Sequence, residues 1–262
     1  MRNAFADQIT RLAVEDPRVH LLSGDIGNRL FNKFQEKCPG RFFNCGVAEA
    51  NMISVGAGMA LSGLRPVAYT ITTFITARCF EQIKLDVCYN EAPLVIVGVG
   101  AGLSYASLGP THHSFEELAI LRTLPGLSVL APADPAEVHS ALRAAVAHDG
   151  PVYMRIGKKG EPAIFPAPPP FVVGQGRVMR EGDAACLLST GTILWDVLKA
   201  ADLLAAQGRH VEVVHLPTVK PLDANLLTSV FRRHRLIGLV EEHALAGGFG
   251  SAILEWAADQ GP

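Results

Sequence analysis

Paired cysteines, an excess of charge of either sign and long apolar runs are all scarce in this chain of 262 residues. The five cysteines, at 38, 45, 79, 88 and 186, form no CxxC pair and sit mostly in apolar surroundings, which argues against a disulfide framework or a zinc site. They read as packing residues. The formal net charge is -2 and the 23 basic residues are scattered, so nothing in the electrostatics draws the chain to a polyanion, and nucleic acid is not an expected partner. No stretch of about 18 uncharged apolar residues occurs. No basic-then-apolar leader opens the chain either, so a soluble, cytoplasmic protein is expected. Repeats are missing too, and the only biased tract is one proline cluster.

The chain does have enough apolar residues, 49% of the total, for one large core or two moderate ones. VHLLSGD (19–25), RPVAYT (65–70), APLVIVGVG (92–100), LSVLAPAD (127–134) and PVYMRIG (151–157) are short apolar runs separated by segments with helical spacing. That alternation predicts a parallel sheet with crossover helices. Phe5, Ile9 and Leu12 recur at helical intervals, and Asp134-Pro135 offers an N-cap followed by proline at the first helical position. EPAIFPAPPPF (161–171) then breaks the pattern with five prolines, which remove backbone donors and favour extended conformations. Beyond it the alternation restarts with AACLLSTG (184–191), HVEVVHLP (210–217) and LIGLVEE (236–242), ending in a helical segment near 248–260. The expected fold class is α/β: a three-layer domain over 1–160, a linker over 161–172 and a second, smaller three-layer domain over 173–262, both with mainly parallel sheets.

Open parallel sheets bind ligands at the carboxyl ends of their strands, which directs attention to Ser23–Asp25, Gly100–His113 and Arg155–Lys158. A second unusual feature is Glu49, alone among small and apolar residues in RFFNCGVAEANMISVGAGMALSG (41–63). It reads either as a first-turn acid favoured by the helix dipole or as a partly buried acid able to share a proton with a basic ring nitrogen. The residue alone does not choose. In GAGLSYASLGPTHHSFEELAILRTLPG (100–126) a glycine-containing loop delivers His112 and His113 just before a helix. Without a neighbouring HxH or HxxxH, a two-histidine metal site is not expected, while a proton-transfer or hydroxyl-binding role stays open. Phe74 and Phe80 flank a turn in TTFITARCFEQIKLDV (72–87), where aromatics are ordinarily core.

The ordered set RFFNCGVAEANM, TFITARCFEQI and GPTHH, followed by LRTLPGLSVLAPAD, resembles the carboxyl-terminal half of thiamine-diphosphate enzymes of the transketolase family. LLSTG, VVHLPTVKPLD and VEEHALAGGFGSA extend the resemblance through the family's terminal domain. The family pattern implies that Glu49 bonds to the aminopyrimidine of thiamine diphosphate and promotes the imino tautomer whose nitrogen removes the thiazolium proton. Val47, Phe74 and Phe80 would line that ring, with Phe80 the favoured aromatic. His112 matches a histidine facing the substrate, and His113 is a second candidate there. Lys158 lies where relatives place a phosphate-binding arginine, and Arg155 is another cation at the same strand end; lysine keeps the charge but not the bidentate fork.

The family's Gly-Asp-Gly motif, which holds the coenzyme diphosphate through magnesium, is missing, and SGDIGN and EGDAA are poor substitutes. The resemblance therefore implies a split enzyme, expected as an α2β2 assembly in which an N-terminal-half, diphosphate-binding subunit supplies the Mg2+ site and this chain supplies no metal ligand. Leu108 stands where relatives carry an aspartate that contacts a donor hydroxyl, and Gly100 lies near the place of a phosphate-side histidine. Specificity is expected to differ, and the terminal domain ordinarily runs a few dozen residues further in the family. The leading expectation is transfer of a two-carbon ketol unit between sugars or sugar-like acceptors. The alternatives are the β subunit of a 2-oxo acid dehydrogenase or a deoxyxylulose-phosphate-synthase-like decarboxylating enzyme, and a non-catalytic regulatory subunit.

Overall fold

Short apolar runs become central strands when both of their faces can be covered, and here their residues are buried almost without interruption. In the computed structural model, which describes residues 1–27 and 29–260, six strands run parallel: β1 (Val19–Ser23), β2 (Phe42–Asn44), β3 (Arg65–Ile71), β4 (Val95–Val99), β5 (Ser128–Leu130) and β6 (Val152–Ile156). α1 (Arg2–Glu15) precedes them, and they are joined through α2 (Asn32–Lys37), α3 (Glu49–Leu61), α4 (Thr72–Thr76), α5 (Phe80–Gln82), a π-helical turn (Ile83–Cys88), α6 (Glu117–Arg122) and α7 (Pro135–Ala147). Alternation along β3 sorts the two layers. Val67 and Tyr69 join the cluster built on Phe5, Ile9 and Leu12 of α1 and Leu142 of α7, whereas Ala68 joins Met52 and Ile53 of α3 with Leu118 and Leu121 of α6. Phe5 stacks on Tyr69 at a centroid distance of 4.8 Å.

The second unit contains β7 (Arg177–Arg180), β8 (Cys186–Ser189), α8 (Leu194–Ala205), β9 (Glu212–His215), β10 (Thr218–Lys220), α9 (Ala224–Arg233), β11 (Ile237–Val240) and α10 (Phe249–Asp259). Its sheet has the order β11-β8-β9-β7, with β7 antiparallel to β9. β10 leaves this unit and pairs antiparallel with β5, making the first sheet seven-stranded in the order β10-β5-β6-β4-β3-β1-β2. The core follows it across: Leu216, Val219, Leu227 and Phe249 share one apolar cluster with Leu118, Leu121 and Leu124.

Two α/β units with mostly parallel sheets are thus present, as the alternation predicts, but they share a core. β2, β7 and β10 were not anticipated, since strands of three or four residues at sheet edges carry little periodicity. Residues 157–176 hold neither helix nor strand. Asp134 ties this stretch down: its Oδ1 accepts from Glu137 N at 2.8 Å to cap α7, and its Oδ2 accepts from Ile164 N at 2.8 Å and Phe165 N at 2.9 Å. Among the described residues no helix is long and apolar enough to cross a membrane.

Candidate functional site

The loops that follow β3, β4 and β6 converge at the carboxyl end of the first sheet, beside the start of α3. Gly46, at φ 66, turns the chain out of β2, and three residues later α3 opens on Glu49. The residue is 3% exposed, at the positive end of a 13-residue helix. Its Oε2 accepts from Arg78 Nη1 at 2.7 Å, and that arginine's side chain is 47% exposed. Arg78 sits four residues after Phe74, and its guanidinium carbon lies 4.8 Å from the Phe74 ring centroid. Cys79 is next in sequence but points inward, donating to Phe74 O at 3.4 Å; burial, with Glu49 nearby, pushes its thiol up to about 12. It is therefore protonated and inert at neutral pH.

From Phe74 the contacts continue across the cleft. The His112 ring lies 5.2 Å from Phe74 and 5.8 Å from Tyr105, edge-on to both, and its Nδ1 is 3.0 Å from Thr111 Oγ1. Lys158 Nζ stands 4.5 Å above the Tyr105 ring. Glu49, Arg78, Phe74, His112, Tyr105 and Lys158 therefore form one unbroken line of contacts running from the head of α3 to the end of β6. Tyr105 occupies the space that a side chain at 100 would need: a Cβ on Gly100 would fall 2.1 Å from its ring, and Gly100 has φ +89. The position where a phosphate-side histidine was sought is filled by a neighbouring aromatic.

The remaining sequence candidates lie off this line. Phe80 is partly buried and packs with the cluster of Ile83 and Val87. Val47 is 79% exposed beside the start of α3. His113 turns back on its own loop, with Nε2 3.0 Å from Ala106 O. Arg155 is buried and committed internally: its Nε meets Glu117 Oε1 at 2.9 Å and its Nη2 donates to Glu242 O at 3.2 Å. Of these two strand-end cations, Lys158 is the one on the line of contacts, and Arg155 is held inside.

Two domain families match the chain: the transketolase pyrimidine binding domain over residues 1–161 and the transketolase C-terminal domain over 174–261. The 6-deoxy-6-sulfo-D-fructose transketolase subunit SqwH of Clostridium sp. (strain MSTE9) is 34% identical over 263 residues, covering 100% of this chain and 82% of that subunit. The chain belongs to the transketolase family. A 1-deoxy-D-xylulose-5-phosphate synthase of Magnetococcus marinus is 38% identical over 261 residues, which are 98% of this chain and 41% of the synthase. This transketolase-family chain therefore spans about two-fifths of such a synthase. A solved split gene transketolase, described as an inactive beta4 tetramer, superposes with a TM-score of 0.91 at 33% identity, covering 100% of this chain and 86% of that one. The family resemblance drawn from RFFNCGVAEANM, TFITARCFEQI and GPTHH thus holds along the whole length.

Arg78 and Tyr105 were missed by sequence reasoning. Arg78 carried one usable signal, its i, i+4 spacing from Phe74, which holds across the turn that ends α4. Tyr105 carried none, because its place depends on a loop whose path no periodicity describes.

Proposed function

We propose that this chain is the pyrimidine-site subunit of a two-component, thiamine-diphosphate-dependent enzyme that moves a two-carbon ketol unit between sugars or sugar-like substrates. The observation that carries the reading is Glu49: a buried acid at a helix N-terminus whose one side-chain partner among the described residues is a half-exposed arginine. Such a group is sheltered from water yet open to a ligand that brings its own hydrogen-bonding nitrogen. The residues suit the pyrimidine end of the coenzyme and not its diphosphate. Asp25, in the SGDIGN stretch that follows β1, is occupied by Asn44 Nδ2 at 2.9 Å, and the sequence has no Gly-Asp-Gly to hold magnesium.

When bound, the coenzyme supplies the carbon nucleophile, as cofactors of this kind perform the carbon chemistry themselves. Glu49 holds a proton against the pyrimidine nitrogen, which requires Arg78 to yield the carboxylate oxygen. Phe74 covers the apolar side of the same pocket. His112 binds a substrate carbonyl or hydroxyl oxygen, and Lys158 attracts an anionic group at the far end of the substrate, as a point charge rather than a fork. A partner holding the diphosphate and Mg2+ completes the site, in a proposed α2β2 assembly. Val47 before α3, Val55 and Leu61 along it, and Leu85 and Tyr89 in and after the neighbouring π turn are exposed apolar residues and suit that contact.

The test is to mix the purified chain with a diphosphate-binding half-transketolase from the same organism, thiamine diphosphate and Mg2+, and to offer phosphorylated, sulfonated and neutral ketoses in turn. Turnover that needs both proteins and a ketose donor supports the proposal. Turnover by this chain alone defeats the two-component reading, and pyruvate consumption with release of carbon dioxide replaces ketol transfer with the decarboxylating alternative.

A further inference from the structure

The loop that carries His112 is tied at its neck by a residue from the other domain. Gly102 and Ser114 bond each other reciprocally, N to O at 3.1 and 3.0 Å, so that residues 103–113 project as one closed excursion. Below the neck Ser114 Oγ donates to Glu117 Oε2 at 2.6 Å, and Glu117 Oε1 meets Arg155 Nε at 2.9 Å. Arg155 then donates to the carbonyl of Glu242, which follows β11 in the second unit. The ring closes through the Glu242 side chain, whose Oε1 accepts from Leu103 N at 2.8 Å. The Glu242 side chain packs against Gly102, where a Cβ would fall 2.2 Å from the Glu242 Cδ. Ala244 N donates to Phe115 O at 3.0 Å on the outgoing side, so both legs of the excursion are held from the second unit.

We infer that Glu242 is a positioning residue: it clamps the neck of the 103–113 loop and so fixes where His112 stands, making the second domain part of the site's geometry. The inference rests on the reading of His112 as the substrate-facing group. A backbone N–H bonded to a carboxylate is among the stronger hydrogen bonds of a fold, and the neck depends on it although Thr73 Oγ1 also donates to Thr111 O at 2.9 Å near the tip. Glu242 reaches neither coenzyme nor substrate in this account and acts only through the loop.

The variants Glu242→Ala and Glu242→Gln separate the alternatives. Alanine removes the acceptor for Leu103 N but leaves the Glu242 carbonyl to Arg155, so the floor beneath the loop is kept. Glutamine retains an oxygen at the acceptor position. In the full chain, amide exchange across residues 103–113 is expected to accelerate about tenfold to a hundredfold in Glu242→Ala, the equivalent of one lost charge-assisted bond, and to stay close to wild type in Glu242→Gln. In the two-component enzyme Glu242→Ala should lower kcat by about tenfold, with rescue by glutamine. Unchanged exchange in Glu242→Ala overturns the clamp, and faster exchange with unchanged kcat overturns the positioning role. A wild-type mixture with no activity defeats the proposed function instead, while the exchange result still decides the clamp.

Discussion

Glu49 and Glu137 are both buried, and their surroundings are opposite. Glu137, on α7, is engaged from inside the protein: its Oε2 accepts from Ala133 N at 2.8 Å and lies 2.8 Å from His215 Nε2, and Arg177 pairs with its Oε1 by charge alone, at 3.5 Å and without a hydrogen bond. His215 and Arg177 come from the second unit, so this acid fastens the two units together. Burial alone would raise the Glu137 proton affinity, but His215 and the other donors outweigh it and hold the carboxyl below its ordinary value of 4.5. Glu212 follows the same pattern, with Arg233 at 2.6 Å on one oxygen and His234 on the other. Cys186, Glu212 and His234 bring three possible metal-ligand atoms within 4.8 Å, yet both carboxylate oxygens are already engaged and burial, aided by Glu212, pushes the Cys186 thiol up to about 12. Acids that serve the fold are filled by the fold. Glu49 has one side-chain partner among the described residues, the half-exposed Arg78.

The comparison can be broken in order of expected effect. Glu49→Gln should lower turnover of the two-component enzyme by about a hundredfold to ten-thousandfold, the range for a lost proton-transfer group, with the thermal midpoint of the chain nearly unchanged. Glu137→Ala should do the reverse. Removing one partner of a buried pair costs about 3–5 kcal/mol, readable by denaturant unfolding, while the folded fraction keeps its turnover. The same residue sets a pH dependence. Because its folded value is depressed, its stabilisation is complete above 4.5 and is lost as pH falls below that, so wild type should lose more stability than Glu137→Gln between pH 5 and pH 3 when Tm is followed. Lys158→Ala should raise KM about tenfold for an anionic donor and leave a neutral ketose unaffected. The smallest effect belongs to Arg78→Ala, below about 1 kcal/mol of stability because its side of the pair is solvated. A large loss there would make Glu49 a structural acid after all.

Much of this was legible from the residues. Central strands such as VIVGV of β4 and the Asp134-Pro135 start of α7 announce themselves, because burial on both faces and capping are local properties. Glu49, Phe74, His112 and Lys158 could be picked out by motif and strand-end position, and they fall on a single line of contacts. Arg155 was chosen by the same strand-end argument as Lys158. Side chains alternate along a strand, however, and Glu117 on α6 neutralises it from a direction the sequence does not specify. The family pattern favours Phe80 over Phe74, yet each packs partly buried against a core cluster and it is Phe74 whose ring lies 5.2 Å from His112, because the turn between α4 and α5 sends the two to opposite layers. The sharing of β10 and the reach of Glu242 were beyond sequence reasoning because both depend on how two separately readable units meet.

The most direct test of the Glu49 assignment is the rate at which enzyme-bound thiamine diphosphate exchanges its acidic thiazolium proton for deuterium, measured by quenched-flow proton NMR on the assembled two-component enzyme. The account predicts fast exchange in the wild type and a slowing of about a hundredfold or more in Glu49→Gln, with coenzyme still bound. Exchange at the wild-type rate in that variant would contradict it.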